Sequence, residues 1–80
     1  MTLQQTIETA QRAERAGNWD LALNLYQRAA DEVRELGQQV RLAELLRWIG
    51  RVHRLRGDLE TAEQAYRESL EVAEACGDPE

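Results

Sequence analysis

Apolar residues recur every three or four positions along the chain and mark four helical segments. The first two helices are predicted over about residues 3–16 and 19–36, and the last two over about 38–56 and 59–76. This spacing places the apolar side chains on one face of each helix. No alternating pattern typical of a strand lies between these segments. The pattern therefore predicts an all-α fold.

The four predicted apolar faces differ in breadth. The first helix has a thin face, which includes a glutamate: Leu3, Ile7, Ala10 and Glu14. The second has a broad face: Leu21, Ala22, Leu25, Tyr26, Ala29, Val33 and Leu36. On the third helix the apolar positions are Leu42, Leu45, Leu46, Ile49, Val52 and Leu55. On the fourth they are Leu59, Ala62, Ala65, Tyr66, Ser69, Leu70, Ala73 and Cys76. Such faces predict helices that are buried on one side.

A glycine separates each helix from the next. Gly17, Gly37 and Gly57 are suited to end a helix, and the polar residues Asn18 and Asp58 are suited to begin the following one. Connections this short require neighbouring helices to lie antiparallel.

The chain also repeats itself with a period of 40 residues. The first copy of the repeated pattern is Gly17–Asn18–Trp19, Ala22, Tyr26 and Ala29. The second copy is Gly57–Asp58–Leu59, Ala62, Tyr66 and Ser69. In both, a small alanine allows close helix approach, and a tyrosine four residues later fills the space beside it. A period of this length indicates stacked helical units.

These residues resemble the tetratricopeptide repeat family, in a variant with a 40-residue period. The second unit matches throughout, since Leu46, Ile49, Gly50 and His53 precede the turn at Gly57. The first unit matches only from Gly17 onward. The resemblance implies that all of these residues pack the repeats together. It also implies antiparallel helix pairs stacked as a short right-handed solenoid.

The resemblance sets the expected domain organisation. Residues 1–80 are predicted to form a single domain with one repeat at about 3–37 and another at about 38–77. Residues 78–80 look like the start of a missing next repeat. Stacks usually need three or more units. We therefore expect the exposed side of the last helix to pack against another copy of the chain.

Charge is distributed unevenly between the helices. The net charge of −5 argues against nucleic acid as a partner, because phosphates require a basic surface. Residues 41–56 nevertheless contain five arginines and one glutamate, a balance of +4, which leaves −9 on the rest. Residues 58–80 contain eight acidic residues and Arg67, a balance of −7. The two segments are complementary, which favours self-association either head to tail or as a two-fold pair.

The resemblance also indicates a candidate binding surface. In this family the first helix of each unit lines a concave groove, at positions that correspond to Glu44, Arg47, Arg51 and Arg54, with Trp48 beside them. The three arginines would form a stripe about 10 Å long. An acidic peptide or its terminal carboxylate would suit this stripe. The alternative is a solvated face whose arginines pair with acidic residues of adjoining helices.

Several classes of function are not expected. The lone Cys76 and the lone His53 provide neither metal-ligand spacing nor a catalytic arrangement, and the glycines are isolated rather than clustered in a phosphate loop. We predict no enzyme activity, no metal and no cofactor. No apolar run approaches the roughly 20 residues that span a membrane, and no signal peptide begins the chain, so a cytoplasmic location is expected. The prediction is a protein interaction module; the alternative is a purely structural assembly element or an excised or designed repeat fragment without an external ligand.

Overall fold

A computed structural model describes residues 1–76 of the chain. This part contains no strand and four helices, which are α1 (Leu3–Arg15), α2 (Trp19–Glu35), α3 (Gln39–Arg56) and α4 (Leu59–Ala75). The predicted all-α fold is confirmed, and each helix begins and ends within one residue of its predicted bounds. Gly77 and the predicted start of a next repeat at 78–80 lie outside the described residues.

The three links between helices share one geometry. Their glycines adopt left-handed φ angles of 78°, 74° and 92°, at Gly17, Gly37 and Gly57 respectively. In the first link, the Gly17 amide donates to the Glu14 carbonyl at 3.1 Å, and the next amide donates to the Ala13 carbonyl at 2.8 Å. These two bonds satisfy carbonyl groups that the helix end would otherwise leave unpaired. No atom lies within 4 Å of a Cβ added at these glycines, so backbone conformation alone requires them.

Contacts between the helices fix their relative directions. Arg41, near the start of α3, donates to the Gln4 side chain near the start of α1 at 3.3 Å. Arg51 bonds Glu14, which lies near the other end of α1. The two helices therefore run parallel, with α2 between them in sequence and antiparallel to both. The helices pack in chain order, α1 on α2, α2 on α3 and α3 on α4.

The core is centred on the two middle helices, α2 and α3. Its largest fully buried side chains belong to α2 and α3, and they are Tyr26, Val33, Leu45 and Val52. On α4, only Ala62 is buried. The core thus becomes thinner toward the last described helix.

Five leucines of the predicted apolar faces are exposed instead: Leu21, Leu36, Leu55, Leu59 and Leu70. The first four lie in the first or last turn of a helix or just beyond it, where little of the neighbouring helix covers them. Leu70 lies in the middle of α4, on a side that no described helix covers. Its prediction as a core residue is wrong because, among residues 1–76, α4 has a neighbouring helix on one side only.

The contact between α3 and α4 depends on the absence of a side chain at Gly50. A Cβ at Gly50 would lie 2.9 Å from the Tyr66 ring and 3.2 Å from the Ala62 carbonyl oxygen. The hydroxyl of Ser69 donates to the Ala43 carbonyl at 2.6 Å along the same contact. The backbones of α3 and α4 therefore approach more closely than any residue larger than glycine at position 50 would allow.

The outer face of α1 is polar. It comprises the capping residue Thr2 and the helical residues Gln5, Glu8, Thr9 and Arg12, of which only Thr9 is half-buried and the rest are exposed. The residues 40 positions later on α3 are Leu42, Leu45, Trp48, Ile49 and Val52, all buried except the half-buried Trp48. The face that α3 packs on α2 is therefore apolar, whereas the corresponding face of α1 is polar.

The link glycines give the first prediction. Gly57→Ala should lower the free energy of unfolding by about 1–2 kcal/mol, because a Cβ disfavours left-handed backbone. Gly57→Asn should cost less, since asparagine tolerates this conformation. Urea denaturation followed by circular dichroism measures both variants. Equal losses for the two variants would contradict the conformational explanation.

Candidate functional site

The arginines of α3 differ in whether they form ion pairs with neighbouring helices. Arg51 forms an ion pair with Glu14 of α1, at 2.6 Å. Arg56, one turn further on, pairs with Asp20 of α2 at 3.1 Å. The charge of Arg51 is therefore neutralised by an acidic residue of an adjoining helix.

Arg47 and Arg54 differ from these two arginines. Both are exposed, and neither forms an ion pair within residues 1–76. Glu44 is also exposed, one turn before Arg47. The positive charge available on this face therefore comes from two residues seven positions apart.

Glu14 is the centre of a polar cluster at the junction of α1, α2 and α3. Its carboxylate accepts two hydrogen bonds from the Arg51 guanidinium, at 2.6 and 2.8 Å. It also accepts a bond from the Tyr26 hydroxyl at 2.8 Å. The Glu14 side chain is only 11% exposed. A carboxylate held in this way links three helices through one side chain.

The bonds within this cluster change the ionisation of its members. Burial alone would raise the pKa of Glu14, but the hydrogen bonds from Arg51 and Tyr26 and the charge of Arg51 outweigh burial and lower it below 4.5. Burial, then the bond to Glu14 and its charge, raise the pKa of Tyr26 well above 10. Hydrogen bonding to Glu14 raises the pKa of Arg51. Folding thus favours the ion pair and a neutral tyrosine.

Trp48 lies at the same junction. Its ring centroid is 5.8 Å from that of Tyr26, with the two planes inclined by 46°. Trp48 is half-buried, and Tyr26 is fully buried beneath it. Trp48 therefore covers the tyrosine of the preceding unit.

An open groove lies between α3 and α4. We call it the α3–α4 groove; it has a volume of about 350 Å³ and is lined by Val40, Ala43, Glu44, Arg47, Tyr66, Ser69, Leu70, Ala73 and Cys76. The structure thus brings Glu44 and Arg47 of the predicted site to the edge of an apolar groove. Arg51 lies instead in a shallow depression beside Glu14.

The remaining residues predicted to pack the repeats lie between helices or in the links. Ala22, Ala29, Leu46 and Ile49 are buried, and Trp19 is half-buried against the core.

His53 is half-buried, and its Nδ1 atom lies 3.9 Å from the Asp58 carboxylate, beyond hydrogen-bonding distance. Residues 1–76 include no group of three or more His, Cys, Asp or Glu side chains that could hold a metal ion. Over the same residues, no helix is long and apolar enough to cross a membrane.

The cluster at Glu14 was not predicted from the sequence, although one signal was present. Glu14 occupies the apolar face of α1, where an ionised carboxylate requires a partner. The spacing of the arginines on α3 did not identify that partner, because Glu14 and Arg51 are 37 residues apart.

The family model described as tetratricopeptide repeat matches residues 3–75. No match was found among curated proteins or solved structures.

The Glu14 cluster gives two predictions, the first about coupling. In a double-mutant cycle, Glu14→Gln and Arg51→Met should show a coupling energy on the order of 1–2 kcal/mol, because they share two hydrogen bonds. A cycle of Glu14→Gln with Arg47→Met should show almost none, since Arg47 does not contact Glu14. Urea denaturation measures both, and equal coupling in the two cycles would contradict the assignment.

The second prediction concerns pH. The pKa of Glu14 is lowered by folding, so its contribution to stability is present above about pH 4.5 and is lost as pH falls through the folded-state pKa. The difference in unfolding free energy between wild type and Glu14→Gln should therefore shrink with acidification. A difference that stays constant from neutral pH to well below pH 4.5 would show that the carboxylate gains nothing from Arg51 and Tyr26.

Proposed function

Because the chain belongs to the tetratricopeptide repeat family, we propose that it is a non-catalytic interaction module that binds an acidic protein or peptide on the face of α3. Repeats of this family generally mediate protein–protein interaction, and the family is typically non-catalytic. The proposal adds the chemistry of the ligand and the residues that bind it. It rests on the charges of α3.

Two exposed arginines support this chemistry. Arg47 and Arg54 are seven residues apart, about 10 Å along the helix, and lie on one side of it. A guanidinium binds a carboxylate through two parallel hydrogen bonds. Arg51, between them, already makes such a contact with Glu14. The observation that carries the proposal is that Arg47 and Arg54 form no ion pair within residues 1–76 of an acidic chain.

A labelled hexaglutamate peptide tests this proposal. Binding measured by fluorescence anisotropy at low salt should weaken at least tenfold in the double variant Arg47→Glu, Arg54→Glu, because two attractive contacts become repulsive. The variant should retain the circular dichroism spectrum of wild type, since both side chains are exposed.

The matched control changes the same charge elsewhere. Arg12→Glu with Arg15→Glu alters the net charge equally but on α1, so its affinity for hexaglutamate should decrease much less. If the two double variants bind equally, only the net charge matters and the site is not on α3. Unchanged affinity in both would refute the proposal.

A second candidate function is self-association through the side of α4 that no described helix covers. Leu70 is 59% exposed and Val40 is 66% exposed, and both line the α3–α4 groove. In a two-fold pair, the basic α3 of one copy could lie against the acidic α4 of the other. A head-to-tail stack would instead place the polar outer face of α1 on this groove, which offers little apolar area to bury.

Light scattering over a range of concentration and salt tests self-association. A two-fold dimer should form at micromolar concentration, and Leu70→Glu should shift it to monomer by placing a charge in the apolar contact. The exposed residue Leu21 provides the control, since Leu21→Glu should leave the dimer unchanged. A strict monomer at high micromolar concentration would exclude this candidate.

A further inference from the structure

We propose that the α3–α4 groove binds an amphipathic helix of a partner protein, parallel to α3, with a carboxylate that contacts Arg54. This inference rests on the proposed function and deepens it, because it names the partner as a helix and gives its direction and the position of its charge. In the first unit of the chain, the equivalent groove is already filled by a helix.

The equivalent groove lies between α1 and α2. Arg47, Tyr66, Ser69, Leu70 and Ala73 line the α3–α4 groove, and the residues 40 positions earlier are Ile7, Tyr26, Ala29, Ala30 and Val33. All five of these earlier residues are at most 3% exposed. They belong to one core cluster with residues of α3. A groove of this shape, in this chain, is therefore one that a helix covers.

The helix α3 shows which residues a helix in such a groove contributes to the contact. Leu45, Ile49 and Val52 provide its buried apolar face, and Trp48 lies over the Tyr26 ring. It also provides a charged residue, Arg51, which reaches back to α1. Because α3 runs parallel to α1, an equivalent occupant of the α3–α4 groove would run parallel to α3.

Two positions of the first helix of each unit differ in charge between the units. Arg54 stands where α1 has Glu14, the residue that binds Arg51. Arg47 stands where α1 has the buried Ile7. An occupant with an arginine at the position of Arg51 would face a like charge. An occupant with a glutamate there would restore an ion pair of opposite polarity.

The α1 helix of a second copy does not fit this description. At the positions equivalent to Leu45, Ile49 and Val52 it has Gln5, Thr9 and Arg12, so it lacks the apolar face. At the position of Arg51 it has Gln11 rather than a carboxylate. The occupant that the groove fits is therefore a helix with the apolar pattern of α3 and an acidic residue in place of Arg51.

Two synthetic peptides test the charge inversion directly. The first has the sequence of residues 39–56 of this chain, and the second has the same sequence with Arg51→Glu. The second peptide should bind the full chain about tenfold more tightly than the first, measured by calorimetry at low salt. The chain carrying Arg54→Glu should reverse this preference. If the preference is absent or does not reverse, the proposed contact with Arg54 is wrong.

A separate variant tests the groove itself. Ala73→Trp should fill it and weaken binding of the Arg51→Glu peptide at least tenfold, and circular dichroism of the variant alone verifies folding. The peptide should also gain helicity when it binds wild type. Binding that persists in Ala73→Trp, or that occurs without added helicity, would overturn the proposal.

The direction of the bound helix can be tested with Cys76, which lines the groove together with Val40 near the start of α3. A cysteine added to the N-terminus of the peptide should form a disulfide with Cys76 under mild oxidation. A cysteine added to its C-terminus should not, because that end lies about 25 Å away along an 18-residue helix. Preferential trapping of the C-terminal cysteine would refute the parallel direction.

The outcomes separate this inference from the proposed function. Hexaglutamate binding that depends on Arg47 and Arg54, with no groove-dependent binding of the helical peptide, would support the proposed function and refute the inference. Helical peptide binding that follows Arg54 and Ala73, without hexaglutamate binding, would support the inference and show that charge alone is insufficient. Dimerisation that Ala73→Trp abolishes, with no peptide binding, would identify a second copy as the occupant and refute the inference.

Discussion

The stack depends on the contact through which α3 covers the side chain of Tyr26. A pair of antiparallel helices buries apolar residues between its members, but the outer side of the pair remains open to water. The Tyr26 ring is fully buried, and Trp48 of α3 lies against it with the ring centroids 5.8 Å apart. The buried Glu14 carboxylate beside it would be costly without partners, and Arg51 and the tyrosine hydroxyl provide them. The apolar contact holds the two units together, and the ion pair selects which turn of α3 faces α1.

The two tyrosines show how strongly a covering helix determines the burial of a side chain. Tyr26 and Tyr66 follow the same turn, four residues after an alanine, and both belong to an alanine–tyrosine pair that packs on the preceding helix. Tyr26 is fully buried, whereas Tyr66 lies half-buried against Gly50 and faces the open groove. The local sequence is nearly the same in both units. The difference in environment comes from the helix that covers one tyrosine and not the other.

The same distinction explains what could be predicted from the sequence. The helices and their links follow from local signals, since apolar spacing and a left-handed glycine act within a few residues. The ion pair of Arg51 could not be predicted from the arginine spacing, because that spacing describes α3 alone and the partner lies on α1. Leu70 was expected in the core for a similar reason: its periodicity is that of a buried face, but burial needs a covering helix. Glu14 on an apolar face was the one local sign that a distant partner existed.

The ion pairs of α3 explain part of its excess of arginines. Arg51 and Arg56 join α3 to α1 and α2, so part of the surplus on α3 stabilises the stack. Arg47 and Arg54, which form no ion pair within residues 1–76, replace Ile7 and Glu14 of the first unit, and those two residues help form the junction with α3. The repeated turn and second helix place a tyrosine at the same position in both units, while the first helix has arginines in place of Ile7 and Glu14. In the proposed mode of binding, an occupant with the charge pattern of α3 would place an arginine against Arg54, whereas an occupant with an acidic residue there would form an ion pair.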